Sequence, residues 1–205
     1  MPKLSCYLTV LLLALLSGCS QTFERQTCVT LAAEVNYCLA PISQQVLGNG
    51  QQALSAMQKA SIQTENNQHE LLSQLELSQQ QLTLVGLAPL GQALFTLSYD
   101  GQSLISEQSK LLGEQFKAEY LLAIMQLIYW PDNSINQHLE GATISNYSCD
   151  AALCRGLFFA KNDLNEITTS QQPFISIRYS NLAQWQAEVE LKIPAADFQL
   201  NISPL

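Results

Sequence analysis

The chain has 205 residues, nine basic and seventeen acidic, for a formal net charge of −8 at neutral pH. The few lysines and arginines are scattered without a cluster, which argues against nucleic acid and against electrostatic binding to anionic lipid. With 47% hydrophobic residues, the length suits one domain with a sizeable core.

The first predicted element is an export leader. Lys3 precedes an apolar run from Leu8 to Leu16, too short for a normal transmembrane span. Leu16-Ser17-Gly18-Cys19 follows and resembles a bacterial lipobox. Cleavage before Cys19 then gives a signal peptide over 1–18 and a lipidated tether over 19–30, with one domain over 31–205. Diacylglycerol on the Cys19 thiol, with acylation of its new amine (palmitate, for instance), anchors the chain. Each buried methylene adds about 0.8 kcal/mol, so two or more chains hold well and one barely does. Ser20, rather than aspartate, after the lipidated cysteine resembles an outer-membrane sorting address.

Six cysteines are present. Cys6 belongs to the leader and Cys19 to the anchor, which leaves Cys28, Cys38, Cys149 and Cys154. An even number in an exported domain reads as disulfides, with three pairings possible. The expected pairing is sequence-local, Cys28–Cys38 and Cys149–Cys154. Neither spacing fits a zinc site or a Cys-x-x-Cys redox pair.

Leu31, Val35, Leu39 and Ile42 fit a helical stripe that Pro41 ends, and Asn49-Gly50 closes the region. From Gln51 the period changes to two. Gln51–Gln63 reads as a first strand, with Asn66-Asn67 as the turn into a second over His69–Gln79. There Leu71, Leu75 and Leu77 face Gln74, Glu76 and Ser78 across the strand. Leu82 and Leu84 continue the pattern. Gly86–Gly91 is a loop in which Leu87 and Leu90 are either buried or contact a partner or lipid. Ala93, Phe95, Leu97 and Tyr99 form another strand, Asp100-Gly101 is a hairpin signal, and Leu104-Ile105 opens the next strand.

Leu111 to Trp130 is the clearest predicted helix. Leu112, Phe116, Tyr120, Ala123, Ile124, Leu127 and Ile128 form its apolar stripe, with Glu114 and Glu119 near its start. Pro131 stops it and Asp132-Asn133 turns the chain. Thr143–Cys149 and Leu157–Ala160 read as a disulfide-clipped hairpin, with turns at Asn162-Asp163 and Ser170–Pro173. Phe174–Tyr179 is a strand. Trp185, Ala187, Val189, Leu191 and Ile193 alternate as another that Pro194 ends, and Phe198, Leu200 and Ile202 make the last. The predicted fold is mainly β with helices: one highly curved antiparallel sheet wrapped around helices in its concave face.

Nothing in the chain assembles a catalytic constellation. The two histidines, His69 and His138, read as surface residues, and Asp100 as a turn residue. Glu188 and Glu190 read as solvated charge on a strand's outer face. No nucleophile elbow, phosphate loop or zinc helix occurs, and no metal or other cofactor is expected. The chain therefore reads as non-enzymatic.

Leu82–Phe95 with Pro89-Leu90-Gly91, the strand and turn Leu94–Gly101, the helix Tyr120–Trp130 and the closing strands Ile175–Tyr179, Trp185–Ile193 and Phe198–Ile202 resemble the periplasmic LolA/LolB superfamily. The lipobox brings the chain nearer LolB, the outer-membrane receptor for lipoproteins. More narrowly it resembles a LolB-like lipoprotein family, domain of unknown function 3261. The resemblance implies an unclosed β-barrel with an apolar cavity for acyl chains, although four extra cysteines are not a LolB feature. On this basis Leu75, Leu84, Phe95, Leu97, Ile124, Leu127, Phe174, Trp185 and Val189 are the expected cavity lining.

The function expected is a carrier or receptor at the bacterial outer membrane, lipid-anchored and facing the periplasm. Its cargo is an acyl-bearing lipoprotein, glycolipid or polyene lipid, exchanged with a periplasmic carrier protein. The alternatives are an accessory envelope lipoprotein with no ligand, or a small lipid hydrolase.

Overall fold

The computed structural model describes residues 21–48, 51–112, 116–160 and 172–205. The leader, Cys19, Asn49-Gly50, Glu114 and Asn162-Asp163 lie outside the described residues.

Eleven strands make one antiparallel sheet. In chain order they are β1 (Gln21–Arg25), β4 (Ala53–Thr64), β5 (Asn67–Ser78), β6 (Leu82–Leu87), β7 (Ala93–Tyr99), β8 (Leu104–Gln108), β10 (Ala142–Asn146), β11 (Leu153–Phe159), β12 (Ile175–Tyr179), β13 (Val189–Ile193) and β14 (Phe198–Pro204). Their spatial order is β1-β8-β7-β6-β5-β4-β14-β13-β12-β11-β10. A second sheet joins β2 (Cys28–Ala32), β3 (Val35–Cys38) and β9 (Leu139–Glu140). The helices are α1 (Gln44–Leu47), α2 (Ala118–Tyr129) and α3 (Asp132–Asn136), with single 3-10 turns at Lys110–Leu112, Gln184–Gln186 and Pro194–Ala196.

Period-two patterning sets the faces. Leu75 and Leu77 on β5 lie opposite Leu84 and Leu82 on β6, which lie opposite Leu97 and Tyr99 on β7. All six are buried. On the other half of the sheet, Ile202 and Leu200 pair with Val189 and Leu191, and the latter two with Tyr179 and Ile177. Gln74, Glu76, Thr83 and Ser98 occupy the opposite, wetter face. The β7–β8 turn closes as the Asp100-Gly101 signal predicts. Asp100 Oδ1 accepts the N–H groups of Gln102 (2.8 Å) and Ser103 (2.7 Å), and Gly101 takes φ +95°. These N–H donors, Ser103 first, hold the Asp100 carboxyl below its ordinary value.

The expectation of a highly curved sheet forming an unclosed barrel is corrected. The fold is mixed α/β, with large antiparallel sheets that do not close into a barrel and are not strongly curved. β1 and β10 remain as separate edges. The physical reason lies in the covering layer. Helix α2 shares the apolar face with the small sheet and the segment after it, so the large sheet need not roll up to cover itself.

Other local expectations shift as well. The stripe predicted as helix over Leu31–Ile42 is instead the β2–β3 hairpin. Val35 and Tyr37 are buried and Asn36 is exposed, a strand period. The chain reverses at Ala33-Glu34, with Glu34 at φ 61°. Residues 21–30, expected as tether, hold β1 and the start of β2. The main helix begins at Ala118 rather than Leu111, and Asp132-Asn133 opens α3 instead of a simple turn. Trp185 sits in a 3-10 turn before β13, not in the strand.

Both disulfides join near neighbours: Cys28–Cys38 at 2.07 Å and Cys149–Cys154 at 1.97 Å. The first ties β2 to β3 at directly paired positions. The second closes the loop between β10 and β11.

Candidate functional site

Helix α2 is held to both sheets by buried polar contacts. Gln126 Oε1 accepts the Tyr37 hydroxyl (2.7 Å) and the Ala40 N–H (2.8 Å), while its Nε2 donates to the Ala40 carbonyl (2.9 Å). The Tyr99 hydroxyl donates to the Leu39 carbonyl (3.1 Å), bridging the large sheet to the segment after β3. Gln58 Nε2 donates to the Tyr129 hydroxyl (2.8 Å). At the C-terminal end of α2, the Tyr179 hydroxyl donates to the Ile128 carbonyl (2.6 Å). Arg155 donates to the carbonyls of Ile128 (3.0 Å) and Trp130 (2.9 Å). A guanidinium at that position also suits the negative end of the helix dipole. Burial pushes the phenols of Tyr99 and Tyr179 up to about 12 and raises those of Tyr37 and Tyr129 as well.

Beside the N-terminal half of this fixed helix lies a pocket of about 360 Å³. One wall is the sheet: Ala60 and Ile62 on β4, Leu71 and Ser73 on β5, Leu84 on β6, Phe95 on β7, and Phe198, Leu200 and Ile202 on β14. The other is Leu112, Phe116, Leu121, Ile124 and Met125. Phe95 and Phe116 stack at 4.9 Å across the two walls. Gly86 lies beneath the Phe95 ring, and a Cβ there would meet that ring at 2.2 Å. The missing side chain is therefore what lets the ring lie against the sheet. Polar groups gather at the mouth, where His69, Glu70, Lys117 and Tyr120 are exposed. Glu70 is paired with Lys59 at 2.9 Å.

The structure distributes the expected cavity residues. Leu84, Phe95 and Ile124 line the pocket. Leu75, Leu97, Leu127 and Val189 are buried in packed core away from it. Phe174 stacks on Phe159 at 4.4 Å. Trp185 stacks on Tyr129 at 3.8 Å and borders a separate hollow of about 370 Å³ at the other end of α2. Leu87, the last residue of β6, is half-buried, whereas Leu90 in the loop after it is 99% exposed. The lining that the sequence did not indicate comes chiefly from β4 and β14. Their pairing, Leu200 opposite Ile62 and Ile202 opposite Ala60, joins strands far apart in sequence, although the alternation of Phe198, Leu200 and Ile202 was itself a usable signal.

The two histidines do not converge. His69 stands at the pocket mouth, and His138 Nδ1 lies 2.9 Å from the Ser134 carbonyl oxygen. Among the described residues no group of three His, Cys, Asp or Glu side chains could hold a metal. Among the same residues, no helix is long and apolar enough to cross a membrane.

These observations define a class: a mixed α/β protein on large antiparallel sheets, with an apolar pocket between the main sheet and its longest described helix. Residues 55–205 match the model of a family described as "Protein of unknown function (DUF3261)", and the chain belongs to that family. All the pocket-lining residues fall inside the matched stretch. No curated protein matches the chain.

Proposed function

We propose that this protein is a non-enzymatic, lipid-anchored carrier or receptor of the bacterial outer membrane, facing the periplasm, that takes an acyl chain into the pocket beside α2. The observation that carries this reading is the pocket itself, largely apolar on both walls apart from Ser73, with its charged groups at the mouth. Burial of apolar surface is worth roughly 25 cal/mol per Å², so affinity for an acyl chain needs few polar contacts. Kinship with LolA and LolB belongs to this proposal and rests on the lipobox and the stretches named above, not on a barrel.

The place where β1 starts supports the reading. Strand β1 starts at Gln21, two positions after Cys19, a reach of about 7 Å in extended chain. Gln21 pairs with Gln108, Gln108 with Phe95 and Phe95 with Gly86. The lipidated end therefore enters the sheet on the row that holds the Phe95 wall. The loop bearing Leu90 follows β6 at this same end. Cargo leaving the bilayer, or handed over by a periplasmic carrier, would travel a short path.

Native mass spectrometry of the protein taken from its membrane tests the proposal. The expected result is a covalent lipid increment on Cys19 and a second, dissociable acyl lipid that is absent from the Ile124→Trp variant. An unmodified Cys19 removes the anchor. Absence of any dissociable lipid, together with failure to take up a fluorescent fatty acid, removes the cargo role.

A further inference from the structure

We infer that the preferred ligand of this pocket is a single-chain lipid with a free carboxylate, its head held at the mouth by Lys117. This rests on the acyl-chain reading above and narrows it to one chemical class. The volume bears on the number of chains. At about 360 Å³ the pocket lies at the small end of the ligand-site range of about 300–1,000 Å³. That size suits one acyl chain better than the two of a phospholipid or the three of a lipoprotein.

The mouth bears on the head group. Lys117 is exposed, lines the pocket and has no ion-pair partner among the described residues. His69 lines the mouth as well and offers a ring N–H. The acidic residue there, Glu70, is already matched by Lys59. Glu119, two residues after Lys117, is buried and is not part of the lining. Among the described residues, the uncompensated charge at the opening is therefore positive, although the chain as a whole is acidic. A carboxylate at the end of an apolar chain matches both the depth and the rim.

The test uses the full-length chain in phosphatidylcholine nanodiscs, with empty nanodiscs as background. The probe is cis-parinaric acid, displaced in turn by dodecanoic acid, dodecanol and didodecanoylphosphatidylglycerol. Dodecanoic acid is expected to compete best, at least ten-fold better than the two-chain lipid. Lys117→Gln is expected to weaken dodecanoic acid roughly three- to five-fold, the range of an exposed ion pair, and to leave dodecanol unchanged. Equal effects of Lys117→Gln on acid and alcohol, or no effect on either, overturn the head-group assignment. Equal competition by the two-chain lipid overturns the single-chain assignment. In those cases the acyl pocket itself still stands if Ile124→Trp or Leu71→Trp, each checked for a native melting curve, abolishes probe uptake. If the wild-type chain takes up no probe, both this inference and the function it rests on fall.

Discussion

Arg155 Nη2 lies 2.5 Å from Asp132 Oδ1, and the arginine side chain is only 2% exposed while the aspartate is 37% exposed. The pair sits where α2 ends and α3 begins, and the same guanidinium binds two carbonyls of that junction. Its removal takes a donor from the Trp130 carbonyl and the ion-pair partner from Asp132, while Tyr179 still donates to the Ile128 carbonyl. Arg155→Leu is expected to lower the unfolding free energy by about 3–5 kcal/mol. Asp132→Asn should cost less, about 1–2 kcal/mol, because Arg155 keeps its carbonyl partners and the aspartate is partly solvated. Denaturant midpoints of the two variants check the order.

Gly86 links the sheet to the pocket wall. An added methyl group must push the Phe95 ring off the strand and into the space between Phe95 and Phe116. Gly86→Ala is expected to destabilise by about 1–3 kcal/mol, as overpacking does, and to weaken uptake of a fatty-acid probe. Phe95→Leu in the same chain should restore stability more than it does in the wild-type background. A double-mutant cycle on thermal midpoints measures that coupling.

The strands β5 to β7 were legible because each alternates, while β4 alternates only weakly and β8 was marked by the Asp100-Gly101 turn before it. The β2–β3 hairpin was not legible. Leu31, Val35 and Leu39 also satisfy a four-residue helical spacing, and the reversal at Ala33-Glu34 contains no glycine, proline or asparagine to mark it. Alternation told which side of a strand was apolar; that a cavity lies against that side, lined by Leu84 and Phe95, was implied only by the resemblance to LolA and LolB. Alternation did not encode how far the sheet bends, and so the curved-barrel expectation failed. Nor did it encode that β14 lies beside β4, and Ile62, Leu200 and Ile202 were consequently not assigned to the lining. Trp185 continues the β13 alternation in sequence, but the chain turns at Gln184–Gln186 and seats its ring on Tyr129 instead.

The buried phenols predict an alkaline limit to stability. Tyr99 and Tyr179 are pushed up to about 12 from an ordinary value of 10.0, with Tyr37 and Tyr129 also raised. A raised value in the folded chain means that the unfolded chain loses its phenolic protons first. Their contribution is thus fully present below pH 10 and declines as pH rises toward 12. The expected outcome is cooperative unfolding in that window, with phenolate absorbance and loss of β-sheet circular dichroism rising together. Tyr179→Phe should unfold at higher pH than the wild type. It removes one titrating group, while Arg155 still donates to the Ile128 carbonyl.

The Cys28–Cys38 disulfide closes a segment of sequence separation 10 and ties the hairpin whose Tyr37 reaches Gln126 on α2. By loop-closure entropy a cross-link of this size contributes about 2–3 kcal/mol. Cys28→Ser with Cys38→Ser is expected to lower stability by that amount, and to increase hydrogen exchange first at the N–H of Ala40, which Gln126 accepts. The Cys149–Cys154 bridge closes a shorter loop, of sequence separation 5, and Cys149 and its neighbours Ser148 and Asp150 are exposed. Its removal should speed exchange only in the loop and leave the α2 contacts protected.

Leu90 separates contact from stability. At 99% exposure it packs against nothing in the fold, and Leu90→Ser is expected to move the denaturation midpoint by less than about 0.5 kcal/mol. A fully exposed leucine has roughly 1.5–3 kcal/mol to gain from burial against an apolar partner. Placed at the end of the sheet that holds the pocket mouth and the start of β1, it is positioned to touch the bilayer or an incoming carrier. The variant should therefore slow transfer of a fluorescent fatty acid between donor vesicles and the nanodisc-held chain, with its equilibrium affinity unchanged. Equal transfer rates for Leu90→Ser and the wild type would remove the loop from the proposed route. A lowered affinity with an unchanged rate would instead place Leu90 in the pocket, against its exposure.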